Sequence, residues 1–390
     1  MLSDRYLKIF SIQNNYWAAS VWGTPFYWDN HKQKLTIVQN LQHKFLFSLS
    51  IFLIYASFIV LRSLAQTLKL EPADPSSYYF LSCISVLCIA ASVVLSLPCF
   101  KPREIVLFNN QLTRFFKRVQ RDFMSTFDPN TCLVNMMVDA FILLSGVNFF
   151  ILGLLIYLHS IVFSTWPMYM TSLVPAEKLP TWVFVIHSTA FFCTLQMLHA
   201  NISVLISLLL GYLIILKRFL KECIPGDRRR RGQIADESFR SLQNLCKIYR
   251  QLQLVQGSIV NGMSYILLPL KGIISVAIAF CIYSLVRRRS QMDIPTIMIL
   301  SLWAGGLGLT IFILLKYLAS FEVITKSVLH SMRKRACDES NGKKEMGRFL
   351  KSCKPLTIHY GRMYVVRKAC PIKFLKVTTF FTGKALMSFK

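Results

Sequence analysis

Residues 78–98 read YYFLSCISVLCIAASVVLSLP, a run with no Asp, Glu, Lys or Arg in it. Coiled into a helix, such a run rises about 30 Å, the thickness of a bilayer's hydrocarbon core. A helix also pairs every backbone N–H and C=O internally, which lipid cannot do for it. Working outward, the runs 45–60, 137–163, 182–216, 262–286 and 294–315 pass the same test, and 182–216 is long enough to continue past the membrane as a helix. A further run, 371–389, is apolar but interrupted by Lys373, Lys376 and Lys384. The expected fold is all-α, a polytopic membrane protein with seven transmembrane helices.

Composition agrees with this reading. Of the 390 residues 54% are hydrophobic and 16% charged, against about 25% charged in soluble domains. The formal net charge of +27 does not point to nucleic acid, because the Lys and Arg lie in loops between apolar runs that a soluble nucleic-acid binder has no use for. The charge reads instead as topology and as attraction to anionic membrane lipid. The first 20 residues contain no uninterrupted apolar stretch of the secretory-signal kind, so the first span does the targeting. Among the eleven cysteines, Cys83, Cys88, Cys193 and Cys281 fall within spans and the others in or beside cytosolic segments, which leaves no external disulfide framework.

Loop charges alternate along the chain. Basic residues cluster before the first span (Arg5, Lys8, Lys32, Lys34, Lys44), after the second (from Lys101 to Arg121), after the fourth (including Arg228 to Arg231) and between Lys316 and Lys368. They are sparse after the first span (Arg62, Lys69) and the third (Lys178). By the positive-inside rule the N-terminus is cytosolic, the C-terminus is extracellular, and the chain sits in the plasma membrane. The triplet Arg287, Arg288, Arg289 is the one discord, since it falls outside. The organisation expected is a cytosolic segment 1–44, helices one to four in 45–216, a cytosolic loop and amphipathic helix in 217–261, helices five and six in 262–316, a second cytosolic segment 317–370, and the seventh helix in 371–390.

The cytosolic segments carry helical stripes. Leu242, Leu245, Tyr249, Leu252 and Ile259 recur at three- and four-residue spacing after the polar cluster Asp236, Glu237, Ser238, so this amphipathic helix runs into the fifth span. Met346, Phe349, Leu350 and Cys353 form a second stripe after Ser340 and Asn341. Together they predict a cytosolic helical anchor bundle. Leu356, Ile358 and Tyr360 alternate with polar neighbours, Gly361 interrupts, and Met363 and Val365 resume, which predicts a short hairpin.

Catalytic signatures are missing: there is no phosphate-binding GxxxxGK[ST] loop, no HExxH and no GxSxG, so an enzyme is not expected, and neither is a cofactor or metal. His159 and His187 either face an outer cavity or are hydrogen-bonded near the interface. Within the spans, Asp139 reaches toward headgroups, while Lys271 snorkels, faces protein or has a function. The stretch Ala304-Gly305-Gly306-Leu307-Gly308 lets helices approach closely.

At residue level, Thr379-Phe380-Phe381, the Gly361-Arg362-Met363-Tyr364 turn before it and residues 242–261, LQNLCKIYRQLQLVQGSIVN, are the informative motifs. With seven spans, an inside N-terminus, short outer loops and a long fourth helix, they resemble the arthropod gustatory and odorant receptor superfamily over the whole chain. The resemblance implies a ligand-gated, non-selective cation channel for small odorants or tastants, a homo- or hetero-tetramer that can include a family co-receptor. In it the seventh helices line a central pore and the cytosolic helices clamp the subunits. It further implies a ligand pocket in the outer half of the membrane, where Tyr79, Phe149, Phe150, Tyr157, Phe184, His187, Phe191, Tyr283, Met298 and Trp303 fall at the right depth. Aromatic walls with a few polar groups are also the general form of a small-ligand site.

The resemblance places Thr379, Phe380, Gly383, Lys384 and Met387 at the pore and gate. Three positions depart from the family pattern: Phe380 replaces a Tyr, Gly383 a bulky gate residue and Lys384 an apolar one. A cation facing a cation pore raises a barrier, so either Lys384 snorkels outward or this subunit does not conduct alone. The competing class is a multi-pass transporter or lipid-binding scaffold without channel activity. Neither a hydropathy repeat nor paired interrupted half-helices, the marks of many transporters, is present.

Overall fold

The apolar runs among the described residues are helical in the fold, and several helices are longer than a bilayer crossing needs. The structure is a computed structural model and describes residues 4–19, 23–70, 74–124, 151, 153–163, 165–174, 180–224, 237–338, 343–360 and 364–388. In chain order these form α1 (Asp4–Ala19), a hairpin of β1 (Phe26–Asp29) and β2 (Lys34–Ile37), α2 (Gln39–Thr67), α3 (Pro75–Phe100) and α4 (Pro102–Phe123). There follow α5 (Gly153–Val162), α6 (Thr181–Glu222), α7 (Leu242–Arg287), α8 (Ile294–Asp338) and α9 (Lys343–Ser352), then β3 (His359–Tyr360), β4 (Tyr364–Val365) and α10 (Cys370–Ser388). Phe149, Phe150, Asp139, the Arg228 to Arg231 run, the Ser340/Asn341 cap and the Gly361-Arg362-Met363 turn lie outside the described residues.

Five of the helical segments are long and apolar enough to cross a bilayer: Gln39–Thr67, Ser77–Phe100, Thr181–Ile202, Pro269–Arg287 and Ile294–Cys337. The shorter apolar α5 and the lysine-bearing α10 occupy the positions of the third and seventh expected spans. Local chemistry sets several starts. The Asp74 carboxylate accepts from the Ser77 N–H with Pro75 at the first helical position of α3, Ser241 caps α7 through the Asn244 N–H, and Asp293 caps α8 through the Thr296 N–H.

At 42, 46 and 45 residues, α6, α7 and α8 each run about 65 Å at 1.5 Å per residue, twice the hydrocarbon thickness. The expected amphipathic helix and fifth span are thus a single rod. The helix of the sixth expected span continues beyond residue 316: α8 runs on through Leu318, Phe321, Val328, Leu329 and Met332, all buried at helical spacing, to Asp338. These extensions, with α1, α4, α9 and the two hairpins, enclose one apolar core at the basic end of the molecule. Within it Phe219 makes edge contacts with Phe115 (5.8 Å) and Phe239 (5.6 Å), and Tyr212 stacks on Phe321 (6.2 Å, 12°). Burial pushes the Tyr249 phenol above its ordinary range, so it remains a donor, here to the Lys354 carbonyl at 2.9 Å.

The first hairpin shows how a two-stranded sheet survives with both edges free. It pairs Phe26 with Ile37 and Trp28 with Leu35. On the outer edge of β1, Asn15 of α1 accepts from the Trp28 N–H (2.9 Å) and donates to its carbonyl (3.0 Å). On the outer edge of β2, Asn110 of α4 treats Leu35 the same way, at 2.8 Å each. Each asparagine thus acts as a one-residue strand. Asn110→Ala strands both polar groups of a fully buried residue and is expected to destabilise the bundle by about 2 kcal/mol. A thermal-unfolding series on detergent-purified protein checks this.

One packing expectation changes. A Cβ at Gly305 or Gly306 would meet nothing within 4 Å and one at Gly308 only the Ile278 side chain at 3.8 Å, so the glycine stretch of α8 makes no close helix approach among the described residues. The close approach is at Gly153 of α5, where a Cβ would collide with the Gln196 amide of α6.

Candidate functional site

At the end opposite the basic core, α2 and α7 finish while α3, α6 and α8 begin, and the segment 165–174 folds over them. Here a second buried cluster brings together Tyr55 and Ile59 of α2, Phe80 and Cys83 of α3, Ile156 of α5, Met168 and Tyr169 of the covering segment, Phe191 of α6, Cys281 of α7 and Ile299 of α8. Aromatic rings dominate it. Phe80 stacks on Trp303 (6.0 Å, 10°) and lies 4.9 Å from the His159 ring, which is itself 4.6 Å from Phe163 and 4.9 Å from Trp166. Tyr55 stacks on Phe191 (4.7 Å, 28°), and Tyr169 stands edge-on to both Phe191 and His187.

Two tyrosine–histidine pairs supply the polar groups inside this cage. His159 Nδ1 and the Tyr169 hydroxyl are 2.8 Å apart, and His187 Nε2 and the Tyr55 hydroxyl 2.9 Å apart. On its other side, His159 Nε2 is 3.5 Å from the Thr296 hydroxyl, which donates to the Asp293 carboxylate (2.9 Å to Oδ1) at the start of α8. This chain of contacts fixes the imidazole between a cap at the helix end and a phenol in the cage. His159 is 3% exposed and Tyr169 is fully buried, so that pair is shielded from water, while His187 of the other pair is half-buried. The arrangement can hold a small, largely apolar molecule with one hydrogen-bonding group. Among the described residues no group of three His, Cys, Asp or Glu is placed to hold a metal ion.

Of the positions expected to face a ligand, His187, Phe191 and Trp303 are in the cage. Tyr79 and Tyr283 form a neighbouring patch, rings 5.9 Å apart, roofed by Arg288, whose Nε donates to the Tyr79 hydroxyl at 3.0 Å. The Arg triplet at the C-terminal end of α7 is thereby partly explained as an aromatic anchor. Tyr157 packs on Phe192 (5.5 Å) along the α5–α6 seam, and Phe184 is half-buried on α6 one turn before His187. Met298 does not join them: it is 52% exposed and points away from the bundle. Tyr55, Phe80, Trp166, Tyr169 and Thr296 were not singled out by depth alone; the available signal was the aromatic density of Trp166-Pro-Met-Tyr169 in an outer loop.

The other expected site is α10. It buries Cys370, Pro371, Phe374 and Thr378 along one narrow edge, packed on α7 and α8. Thr379, Phe380, Lys384 and Met387 are exposed, with Phe380 at 63% and Met387 at 77%, and a Cβ at Gly383 would meet nothing within 4 Å. Val377, Phe380, Lys384 and Met387 recur at helical spacing, so one apolar-and-lysine stripe is exposed among the described residues.

The 7tm chemosensory receptor family model matches residues 15–347. Among solved structures, the chain is similar to the insect olfactory receptor OR5 from Machilis hrabei in complex with eugenol, with 13% identity and a TM-score of 0.61 over 98% of this chain and 97% of that one. A second structure of the same receptor gives 14% identity and a TM-score of 0.57, covering 97% and 96%. At such identity the likeness is one of fold. No curated protein matches the chain.

Proposed function

Because the chain belongs to the 7tm chemosensory receptor family, we propose that it is a receptor whose outer aromatic cage binds a small organic odorant or tastant and so opens a cation-conducting pore. The chain is a multi-pass membrane chemosensory receptor, and its family is not one of enzymes. The observation that carries the ligand part is the two Tyr–His contacts inside aromatic walls, His159–Tyr169 fully buried and Tyr55–His187 partly so. Polar groups so placed exchange partners with a guest at little cost, while the rings supply dispersion and edge contacts. The related olfactory receptor was solved with eugenol, an aromatic molecule with a hydroxyl, which suits such walls and makes eugenol the first probe.

The pore part rests on α10. Its uncovered stripe calls for an occupant of its outer face, and four copies meeting on an axis provide one, with Thr379, Phe380, Gly383, Lys384 and Met387 toward the axis. In this reading the basic segments 1–44, 217–261 and 317–370 are cytosolic, 45–216 and 262–316 carry the first six spans, and 371–390 is the pore helix. The N-terminus is then inside and the C-terminus outside the plasma membrane. The long rods α7 and α8 connect cage to core and both pack on α10, so a shift at the cage is transmitted as a rigid displacement.

Whole-cell recording from cells expressing the full chain, alone and with a family co-receptor, tests the proposal with a panel of small aromatic alcohols and esters beginning with eugenol. Ligand-evoked cation current that scales with surface expression is the expected result. Surface-expressed protein that gives no current in either setting overturns it, and substrate uptake without conductance replaces it with a transporter.

A further inference from the structure

A groove of about 700 Å³ runs down the flank of the bundle between α2 and α3 and ends against α7. Small side chains make its floor: Ala56 and Ser57 from α2, and Cys88, Ser92 and Ser96 from α3, with Pro269 closing it. These residues all lie within apolar spans, so hydrocarbon rather than water surrounds the opening. Ser92 and Ser96 turn their hydroxyls back onto the carbonyls of Cys88 and Val93 at 2.9 and 2.6 Å, which leaves the channel apolar. The groove is separate from the aromatic cage, and nothing in the ligand or pore reading uses it.

Charge at one end of the groove identifies what fills it. As antiparallel neighbours, α2 and α3 bring His43 and Lys44 of one and Lys101 and Arg103, at the α3–α4 corner, to the same end. Glu104, in the first turn of α4, is the acidic residue there, where a helix start favours it. Ser96 is five residues from Lys101, about 8 Å along the helix, and the groove climbs about 12 Å from Leu53 to Leu61. A basic cluster at the headgroup level with an apolar channel opening just above it matches a molecule with a phosphate at one end and a hydrocarbon chain beside it. A free hydrophobic ligand would use the channel without engaging this charge.

We propose that this groove seats one acyl chain of an anionic phospholipid drawn from the leaflet on the basic side, with the phosphate held at Lys44, Lys101 and Arg103. The chain lies against Pro269, which lacks the N–H that would close its turn of α7, so the lipid packs on the rod where one helical hydrogen bond is missing.

The test uses the full chain in nanodiscs of phosphatidylcholine with a minor fraction of phosphatidylserine bearing a diazirine on its acyl chain. After photolysis, peptide mapping is expected to find adducts concentrated in residues 53–61 and 88–96. Ser92→Phe, which fills the groove, lowers them by about tenfold, and Lys101→Glu with Arg103→Glu removes the preference for phosphatidylserine over an equally labelled phosphatidylcholine. Adducts spread evenly over the exposed faces of α6 and α8 overturn the site. Equal labelling by the two lipids in the wild-type protein overturns the headgroup assignment, and recovery of a non-phospholipid small molecule from the groove overturns the occupant. Because the mapping is done first on wild-type protein, a variant that fails to fold does not remove the test.

Discussion

Tyr169→Ala abolishes the ligand response, and Tyr169→Phe shifts its midpoint to about tenfold higher concentration while leaving surface expression near normal. The two changes separate what the ring does from what the hydroxyl does. The ring is fully buried, edge-on to Phe191 at 5.7 Å and to His187 at 6.1 Å. Deleting it leaves a cavity at the centre of the cage, at a cost on the order of 3 kcal/mol. Within the membrane that cost is lost packing rather than lost hydrophobic transfer, because lipid tails are as apolar as the cage. The phenylalanine keeps the packing and removes only the partner of His159 Nδ1. An imidazole left unsatisfied in an enclosed site costs about 1.4 kcal/mol or more, which is a factor of ten. Dose–response recordings on receptors quantified by surface biotinylation read both effects. Unchanged potency and unchanged thermal stability in the phenylalanine variant would place the ligand elsewhere, with the Tyr79–Tyr283–Arg288 patch the next place to look.

How much of this was legible beforehand depends on the kind of force involved. Spans such as 78–98 are readable because lipid leaves the backbone no alternative to a helix, and every residue in the run has to comply. The rod α7 was readable as one element because Leu245, Tyr249 and Leu252 carry their stripe up to the fifth span, inside which Pro269 interrupts the hydrogen bonding without ending the helix. The extension of α8 past Leu315 carried an equally clear stripe, Leu318, Phe321, Val328 and Met332, and α4 had Ile105, Phe108, Leu112 and Val119. In both, interspersed Lys and Arg give the stretch the charge of a loop and mask the helical stripe. The first hairpin left almost no local signal. It is held by Asn15 and Asn110, polar residues whose work is done on backbone groups 13 and 75 positions away.

The cage was half legible for a related reason. Depth along a span follows from counting residues at 1.5 Å each, and that placed His187, Phe191 and Trp303 at the right level. Counting does not give the direction a side chain points around the helix axis, which is set by the neighbours it packs on. Met298 has the right depth and faces outward; Phe80, one position after Tyr79, turns toward His159, Trp166 and Trp303 while Tyr79 turns toward Tyr283. Contacts such as Tyr55 to His187, 132 positions apart, exist only once the helices are arranged.

In the proposed pore, Lys384 is expected to govern what passes. It is exposed on the same stripe of α10 as Phe380 and Met387, so in a tetramer with that stripe inward four ammonium groups approach the axis. A unit charge about 8 Å from a permeating cation opposes it by about 0.5 kcal/mol in water, and four together by about 2 kcal/mol, more than a tenfold barrier before salt screening. Screening by physiological salt has a range of about 8 Å and reduces the effect without removing it. Lys384→Gln is therefore expected to raise cation current by about tenfold in dilute salt and by about threefold at physiological ionic strength. If the wild-type chain is silent without a co-receptor, the same substitution is expected to give it a current of its own. Lys384→Glu goes further in the same direction, since a ring of acids concentrates cations where a ring of lysines repels them. Single-channel recordings at two ionic strengths check the sign and the salt dependence together. A conductance indifferent to residue 384 would put that side chain among headgroups and turn the exposed stripe of α10 away from the axis.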